Sequence, residues 1–321
     1  MEGRDPVRTL AVIGSINMDV VNKVERHPKP GETIHGLGTT YSPGGKGANQ
    51  AVAAARAGAV VRMVGAVGTD AFGPELIQSL QGFGVDTQWV STKPGSSGLA
   101  FITVARSGEN NIILSSGANG QLTKEDVDAA AAMLDSVDAV LLQNEIPWSV
   151  TEAALRKAHQ LGKQVFLNPA PARQVEPEML QMVDVLVVNE SEAEAITGVK
   201  VDSADAADAA LQSLLAGGCG CAVLTLGGAG LVCRNGRGQS IRLPAYPVEV
   251  VDTTAAGDTF IGALASAWDT DGDLLPALRF ASAAAALTVT RAGAQGSIPE
   301  RQEIEAFLER INGGGGTDSH A

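Results

Sequence analysis

The sequence predicts a layered α/β fold built on a mostly parallel sheet. Two observations carry this. Short runs of β-branched and aliphatic residues recur along the chain and are apolar almost throughout, as strands covered on both faces are. Between them lie alanine-rich segments with helical periodicity, long enough to cross from one parallel strand to the next.

Taken in order, the strand runs are Leu10 to Ile13, Val60 to Val67, Ala139 to Leu142, Val165 to Asn168, Val185 to Val188 and Ala222 to Leu226. The helical segments are Gly47 to Ala57, Gly73 to Gln81, Lys124 to Leu134, Val150 to Gln160, Ala204 to Leu215, Asp258 to Trp268, Leu274 to Thr290 and Glu300 to Ile311. Their small side chains allow close approach to a sheet. Two stretches break the alternation. Residues 17–41 and 97–114 show polar and apolar residues in turn (Ala100, Ile102, Val104) with turn signals such as Ser107-Gly108, which predicts antiparallel strands in a small second sheet. Because both stretches interrupt the main body, that sheet reads as a lid grown from its loops, within one domain spanning 1–311. The glycine run from Gly313 to Gly316 reads as part of a flexible tail over 312–321.

The chain has 321 residues, 23 of them basic and 36 acidic, for a net charge of −13. With no Lys/Arg stripe, this field repels nucleic acid and anionic membranes. No run of about 18 apolar residues occurs and Met1 to Arg8 holds no hydrophobic signal core, so the expectation is a soluble cytoplasmic protein. Cys219, Cys221 and Cys233 lack metal or redox spacing, and Cys221 and Cys233 lie in apolar strand-like runs, so buried thiols are expected. The four histidines are scattered, which argues against a His-based metal site or a hydrolase triad.

Chemistry concentrates in Asp252-Thr-Thr-Ala-Ala-Gly-Asp-Thr-Phe260, where an extended segment, Tyr246 to Val251, gives way to a glycine turn and a small-residue helix. The first amides of such a helix have no internal partner and sit at the positive end of its dipole, which suits a phosphoryl group. Asp258 beside that site would serve as a general base toward an incoming hydroxyl, or else merely cap the helix. A second constellation, Gly44-Gly-Lys-Gly-Ala-Asn-Gln50, carries Lys46 and Asn49 onto the start of a helix. It lacks the upstream glycine of a Walker loop, and its donors suit a polyhydroxy ligand; a plain glycine turn is the other reading. Asn17, Asp19 and Glu145 follow strands, at the end where open α/β sheets bind ligands, though each alone also reads as a surface polar group.

Together these two segments resemble the signature regions of the ribokinase/PfkB carbohydrate kinase family, and the resemblance runs from about Thr9 to Ile311. It includes Asn168-Pro-Ala-Pro171, Asn189-Glu-Ser-Glu-Ala-Glu194 and Thr290-Arg-Ala-Gly-Ala-Gln295. Within that family, Asn17-Met-Asp19 with the Lys46 and Gln50 form of the glycine segment is most similar to members that act on ribose. The resemblance implies a three-layer α/β/α ribokinase-like fold with a small β-sheet lid, and transfer of the ATP γ-phosphoryl group to the 5-hydroxyl of D-ribose. It places Asn17, Asp19, Gly45, Lys46, Asn49 and Glu145 on the sugar, Asp258 as base, and Ala255, Ala256 and Gly257 in an anion hole. It assigns Asn189 and Glu192 to the triphosphate and Mg²⁺, Thr225 and Gly227 to the nucleotide, and Ser282 to the neighbourhood of the adenine, where relatives often carry Asn or His. It implies an activating K⁺ at Asp252, Thr254, Thr288, Arg291, Gly293 and Ser297, largely through backbone carbonyls, and a homodimer formed through the lid. Ala255 departs from the glycine common at its position, which restricts φ but keeps the amide donor. A kinase for 2-deoxyribose and a non-catalytic sugar-binding or nucleotide-binding regulator are the alternative readings.

Overall fold

The computed structural model describes residues 7–269 and 273–314. Its strands are β1 (Thr9–Ile13), β2 (Asn17–Val24), β3 (Gly38–Gly44), β4 (Val60–Gly68), β5 (Asp86–Lys93), β6 (Gly98–Ala105), β7 (Asn110–Ser115), β8 (Ala139–Leu142), β9 (Gln164–Leu167), β10 (Val185–Asn189), β11 (Cys221–Thr225), β12 (Leu231–Asn235) and β13 (Ser240–Leu243). Its helices are α1 (Lys46–Arg56), α2 (Phe72–Gly82), α3 (Lys124–Ala129), α4 (Ala131–Leu134), α5 (Trp148–Gln160), α6 (Pro177–Leu180), α7 (Glu190–Thr197), α8 (Ala204–Ala216), α9 (Ala256–Ala267), α10 (Leu274–Thr288) and α11 (Arg301–Gly314).

Nine strands form the main sheet in the order β13-β12-β11-β10-β9-β8-β1-β4-β5. From β11 to β5 every pair is parallel, and β12 and β13 close one edge antiparallel. Alternating residues of β1 explain the apolar runs: Leu10 and Val12 face one buried layer, with α1, α2, α9, α10 and α11, while Ala11 and Ile13 face the other, with α3 to α8. The result is the three-layer α/β/α architecture. Close helix packing depends on small residues, and a Cβ on Gly262 of α9 would stand 2.6 Å from the Ala53 Cβ and the Gln50 carbonyl of α1. All three cysteines are free and buried, and burial pushes the Cys219 thiol up to about 12.

The second sheet has the order β3-β2-β6-β7. It is mixed where antiparallel strands were expected: β2 pairs antiparallel with β3 and β6 with β7, but β2 and β6 run parallel, Asn17 opposite Gly98. The reason is topological. Strands β2 and β6 both leave the same end of the main sheet, after β1 and β5, and so point the same way. Tyr41, Phe101, Ile112, Ile113 and Leu114 of this sheet are exposed.

Other differences are local. The expected helix over 124–134 breaks at Ala130, and residues 246–251, expected to be extended, join no sheet. Strands β5 and β13 and the short helices α6 and α7 carried no clear signal; β5 is polar in sequence (DTQWVSTK) because it is an edge strand with limited burial. Helix α11 runs to Gly314, and the rest of the segment read as tail, 315–321, lies outside the described residues. Helix α9 begins at Ala256, which puts Asp258 inside its first turn. No helix among the described residues is long and apolar enough to cross a membrane.

Candidate active site

The chain order reverses direction across the sheet between β1 and β8, with β4 and β5 laid on one side of β1 and β8 to β11 on the other. A crevice opens beyond the strand ends at such a point. Glycines let α1 close one wall of it. Gly45 has φ 91°, and a Cβ there would stand 2.8 Å from the Asn17 amide; one on Gly47 would stand 2.6 Å from the Gly14 carbonyl carbon.

In that crevice Glu145, just past β8, gathers donors onto one carboxylate oxygen: the Ser15 hydroxyl at 2.6 Å, the Lys46 amide at 3.1 Å and the Asn17 side-chain amide at 3.4 Å. Asn119 fixes Asn17 by donating to its Oδ1 at 2.7 Å. Asp19 is 8% exposed, and burial, reinforced by Glu145 and Asp258, pushes its carboxyl up to about 7. Burial works against the Lys46 charge, but Asp258, Glu145 and Glu192 outweigh it and hold this ammonium above its ordinary range. A cavity of about 240 Å³ opens beside these groups, lined by Asn17, Asn119, Asn144 and Glu145, with Pro147 and Pro171 and the end of β7. A larger hollow of about 610 Å³ lies between α10 and α11, against Leu287, Arg291 and Glu303, and holds none of the residues read as sugar-binding or nucleotide-binding.

Asp258 faces the crevice from the other wall. Its Oδ2 accepts from Asn49 Nδ2 at 3.0 Å and its Oδ1 from Gln50 Nε2 at 3.1 Å. The amides of Ala255, Gly257 and Asp258 meet no acceptor among the described residues, while that of Ala256 leans on the Thr253 carbonyl at 3.3 Å. Free donors at a helix N-terminus can take an anion. Ala255 sets this turn in a left-handed conformation, φ 59°, which is unique among the described non-glycine residues. A glycine there would hold it without strain.

Further along the same strand ends, Asn189 and Glu192 cap α7 reciprocally: Glu192 N donates to Asn189 Oδ1 at 2.9 Å, and Asn189 N to Glu192 Oε2 at 3.0 Å. Asn168 donates to Glu192 Oε2 at 3.1 Å. Burial raises the Glu192 carboxyl despite these bonds and the pull of Lys46. Thr225 ends β11 with its hydroxyl on the Val188 carbonyl at 3.3 Å, and exposed Gly227 follows with φ 50°. Ser282 is half-buried on α10.

Asp252 ties two loops together. Its Oδ1 accepts from the Thr254 hydroxyl at 2.6 Å and amide at 2.9 Å, and its Oδ2 from the Gly293 amide at 2.9 Å. Burial works to raise this carboxyl, but those bonds outweigh it and hold it below its ordinary range. The Thr288 carbonyl accepts from the Arg291 amide at 3.1 Å, the Ser297 hydroxyl donates to Ala294 O at 2.7 Å, and the Arg291 guanidinium turns away to Glu303. Among the described residues no cluster of three or more His, Cys, Asp or Glu side chains could hold a metal ion.

Ser15, Gln50, Asn119, Gln143, Asn168 and Gln295 were not among the expected site residues. Gln50, Asn168 and Gln295 lie in the segments that carry the family resemblance, but nothing in the sequence pointed to what their amides meet; Ser15, Asn119 and Gln143 show only a lone amide or hydroxyl near an apolar run.

Comparison with known proteins matches residues 7–301 to the pfkB family of carbohydrate kinases. A ribokinase of Haemophilus influenzae is 43% identical over 304 residues, 94% of this chain and 99% of that one. A deoxyribokinase of Salmonella typhi is 38% identical, covering 93% of this chain and 98% of its own. The structure of Arabidopsis thaliana ribokinase complexed with ribose and ATP superposes with a TM-score of 0.87 at 32% identity, covering 95% of this chain and 99% of that one.

Proposed function

The chain belongs to the pfkB family of carbohydrate kinases, and from that premise we propose that it transfers the γ-phosphoryl group of ATP to the 5-hydroxyl of D-ribose, giving ribose 5-phosphate and ADP. The observation that carries the reading is the opposition of two halves of one crevice. Acceptors and amides for a polyol (buried Asp19 and Asn17, half-buried Glu145) face a carboxylate, Asp258, seated beside free helix amides. The names of the similar proteins supply the acceptor and the donor.

In this reading Asn17, Asp19, Gly45, Lys46, Asn49 and Glu145 hold the sugar with its 5-hydroxyl toward Asp258. The carboxylate takes the hydroxyl proton as the new oxygen–phosphorus bond forms and the bond from the γ-phosphorus to ADP breaks. Amides of Ala255, Ala256 and Gly257, with that of Asp258, stabilise charge on the transferring group. Thr225, Gly227 and Ser282 line the nucleotide side. Asn189 and Glu192 would hold Mg²⁺, largely through water, and such an ion neutralises phosphate charge when bound.

The donor set at Asp252, Thr254, Thr288, Arg291, Gly293 and Ser297 is all oxygen if Thr288, Arg291 and Gly293 offer carbonyls, which fits K⁺. Asp252 links both loops, so order there would reach the turn carrying Ala255. The small sheet is read as a lid over the sugar, its exposed apolar residues as the contact with a second copy, and the protein as cytoplasmic.

The Salmonella typhi relative keeps 2-deoxyribose open as the acceptor, since one hydroxyl decides the choice. A coupled ADP-release assay with MgATP and K⁺, comparing ribose, 2-deoxyribose, fructose and adenosine, tests the proposal. Preference for ribose supports it, preference for 2-deoxyribose moves the acceptor only, and no turnover with any of them overturns the kinase reading.

A further inference from the structure

We propose that Gln143 is a positioning residue for Asp258, acting through Gln50; the proposal rests on Asp258 being the base. Gln143 follows β8 and is 1% exposed, and Gln50 is fully buried. Gln143 Nε2 donates to Gln50 Oε1 at 2.7 Å, and Gln50 Nε2 donates to Asp258 Oδ1 at 3.1 Å. An ionised carboxylate only accepts, so Gln50 must turn its NH₂ toward Asp258 and its carbonyl oxygen away. That oxygen then needs a donor, which Gln143 supplies. An acceptor in the same place would turn Gln50 round and aim a carbonyl at the base.

Gln143 keeps this orientation at its own expense. Its Oε1 is buried and has no hydrogen-bond partner among the described residues; it lies against Gly14, where a Cβ would stand 1.9 Å from it. The other oxygen of Asp258 is held in the same manner: Asn49 donates to it, Gln295 Nε2 lies 3.4 Å from Asn49 Oδ1, and the Ser79 hydroxyl lies 3.2 Å from Gln295 Oε1. Charged groups also face Asp258 from three elements, Lys46 of α1, Asp19 of β2 and Glu192 of α7, so the amides must fix its direction against a crowded field.

The test measures kcat, KM for ribose and for ATP, and pH profiles for Gln143→Leu, Gln143→Glu, Gln50→Leu and the Gln50→Leu/Gln143→Leu double variant, each checked for folding by circular dichroism. Gln143→Leu should lower kcat about tenfold with both KM values within about twofold. Gln143→Glu should approach wild-type turnover at low pH, where its carboxyl can donate to Gln50, and lose ground as pH rises. The double variant should be no slower than Gln50→Leu alone. Wild-type kcat in both Gln143 variants, additive losses in the double variant, or a Gln143→Glu profile parallel to wild type would overturn the proposal. Asp258→Asn, assayed in parallel, separates the two readings: normal turnover there sinks the base assignment, whereas its loss beside unaffected Gln143 variants sinks only the positioning role.

Discussion

Asn49 Nδ2 lies 3.0 Å from Asp258 Oδ2, a bond between residues 209 positions apart that joins the start of α1 to the first turn of α9. The two halves of the crevice, proposed to bind the sugar and the phosphoryl group, are therefore joined by buried side-chain contacts, this one and the bond from Gln50 to Asp258. These contacts sit on a helix crossing with little slack, since α1 and α9 meet where Gly262 leaves no room for a Cβ.

Gly262→Ala is expected to force α1 and α9 apart and to cost about 1–3 kcal/mol, the usual range for overpacking a tight core. Turnover should fall as well, because the Gln50 carbonyl is one of the atoms displaced. Thermal unfolding and kcat check this; a variant with wild-type stability would show that the crossing has slack.

Asp19 carries a pH dependence with two opposite signs. Its carboxyl titrates near 7 in the folded chain, well above the ordinary 3.8, so the folded state binds more protons than the unfolded state between those values. Stability from this group is therefore present at low pH and lost as pH rises toward and through 7, and Asp19→Asn should raise the melting temperature at pH 8 more than at pH 5. In the proposed sugar contact ribose hydroxyls donate to the ionised form, so ribose affinity should weaken as pH falls below about 7. Calorimetric titration across pH 5.5–8.5 checks the second effect, and flat affinity in the wild type would contradict the sugar contact.

Asp252→Ala should untie the loops around Thr254 and Gly293. Wild-type activity is expected to rise when K⁺ replaces Na⁺, and the variant should lose that response while still binding ribose. Equal rates in the two salts for the wild type would remove the cation from the account.

Ile113 is 69% exposed on the small sheet. Ile113→Glu should convert a dimer to a monomer in light scattering, with melting behaviour of the main domain retained. A wild-type monomer would leave the apolar face without the partner proposed for it.

Legibility in the sequence followed burial and charge. The strands from β8 to β11 were readable because apolar cover on both faces leaves an unbroken hydrophobic run, whereas polar β5 shows none. Asp258 and Lys46 stood out because each lies beside a glycine turn at a helix start, and Asp19 because it follows a strand end; only the combination of the segments set them apart from caps and surface groups. Gln143, Gln50 and Gln295 did not, since an amide gains meaning only from what it meets across the fold, 208 positions away for Gln50 and Asp258. The parallel pairing of β2 with β6 was likewise hidden, because alternation fixes a strand's faces but not its direction relative to a partner.

The central claim is that Asp258 takes the proton from the attacking hydroxyl. Its most direct test is Asp258→Asn, with single-turnover phosphoryl transfer to ribose and calorimetric binding of ribose and ATP measured on the same preparation. The amide keeps the shape but cannot accept the proton, so transfer should fall on the order of a hundredfold or more while both affinities stay within a few-fold. Transfer at the wild-type rate with intact binding would contradict it.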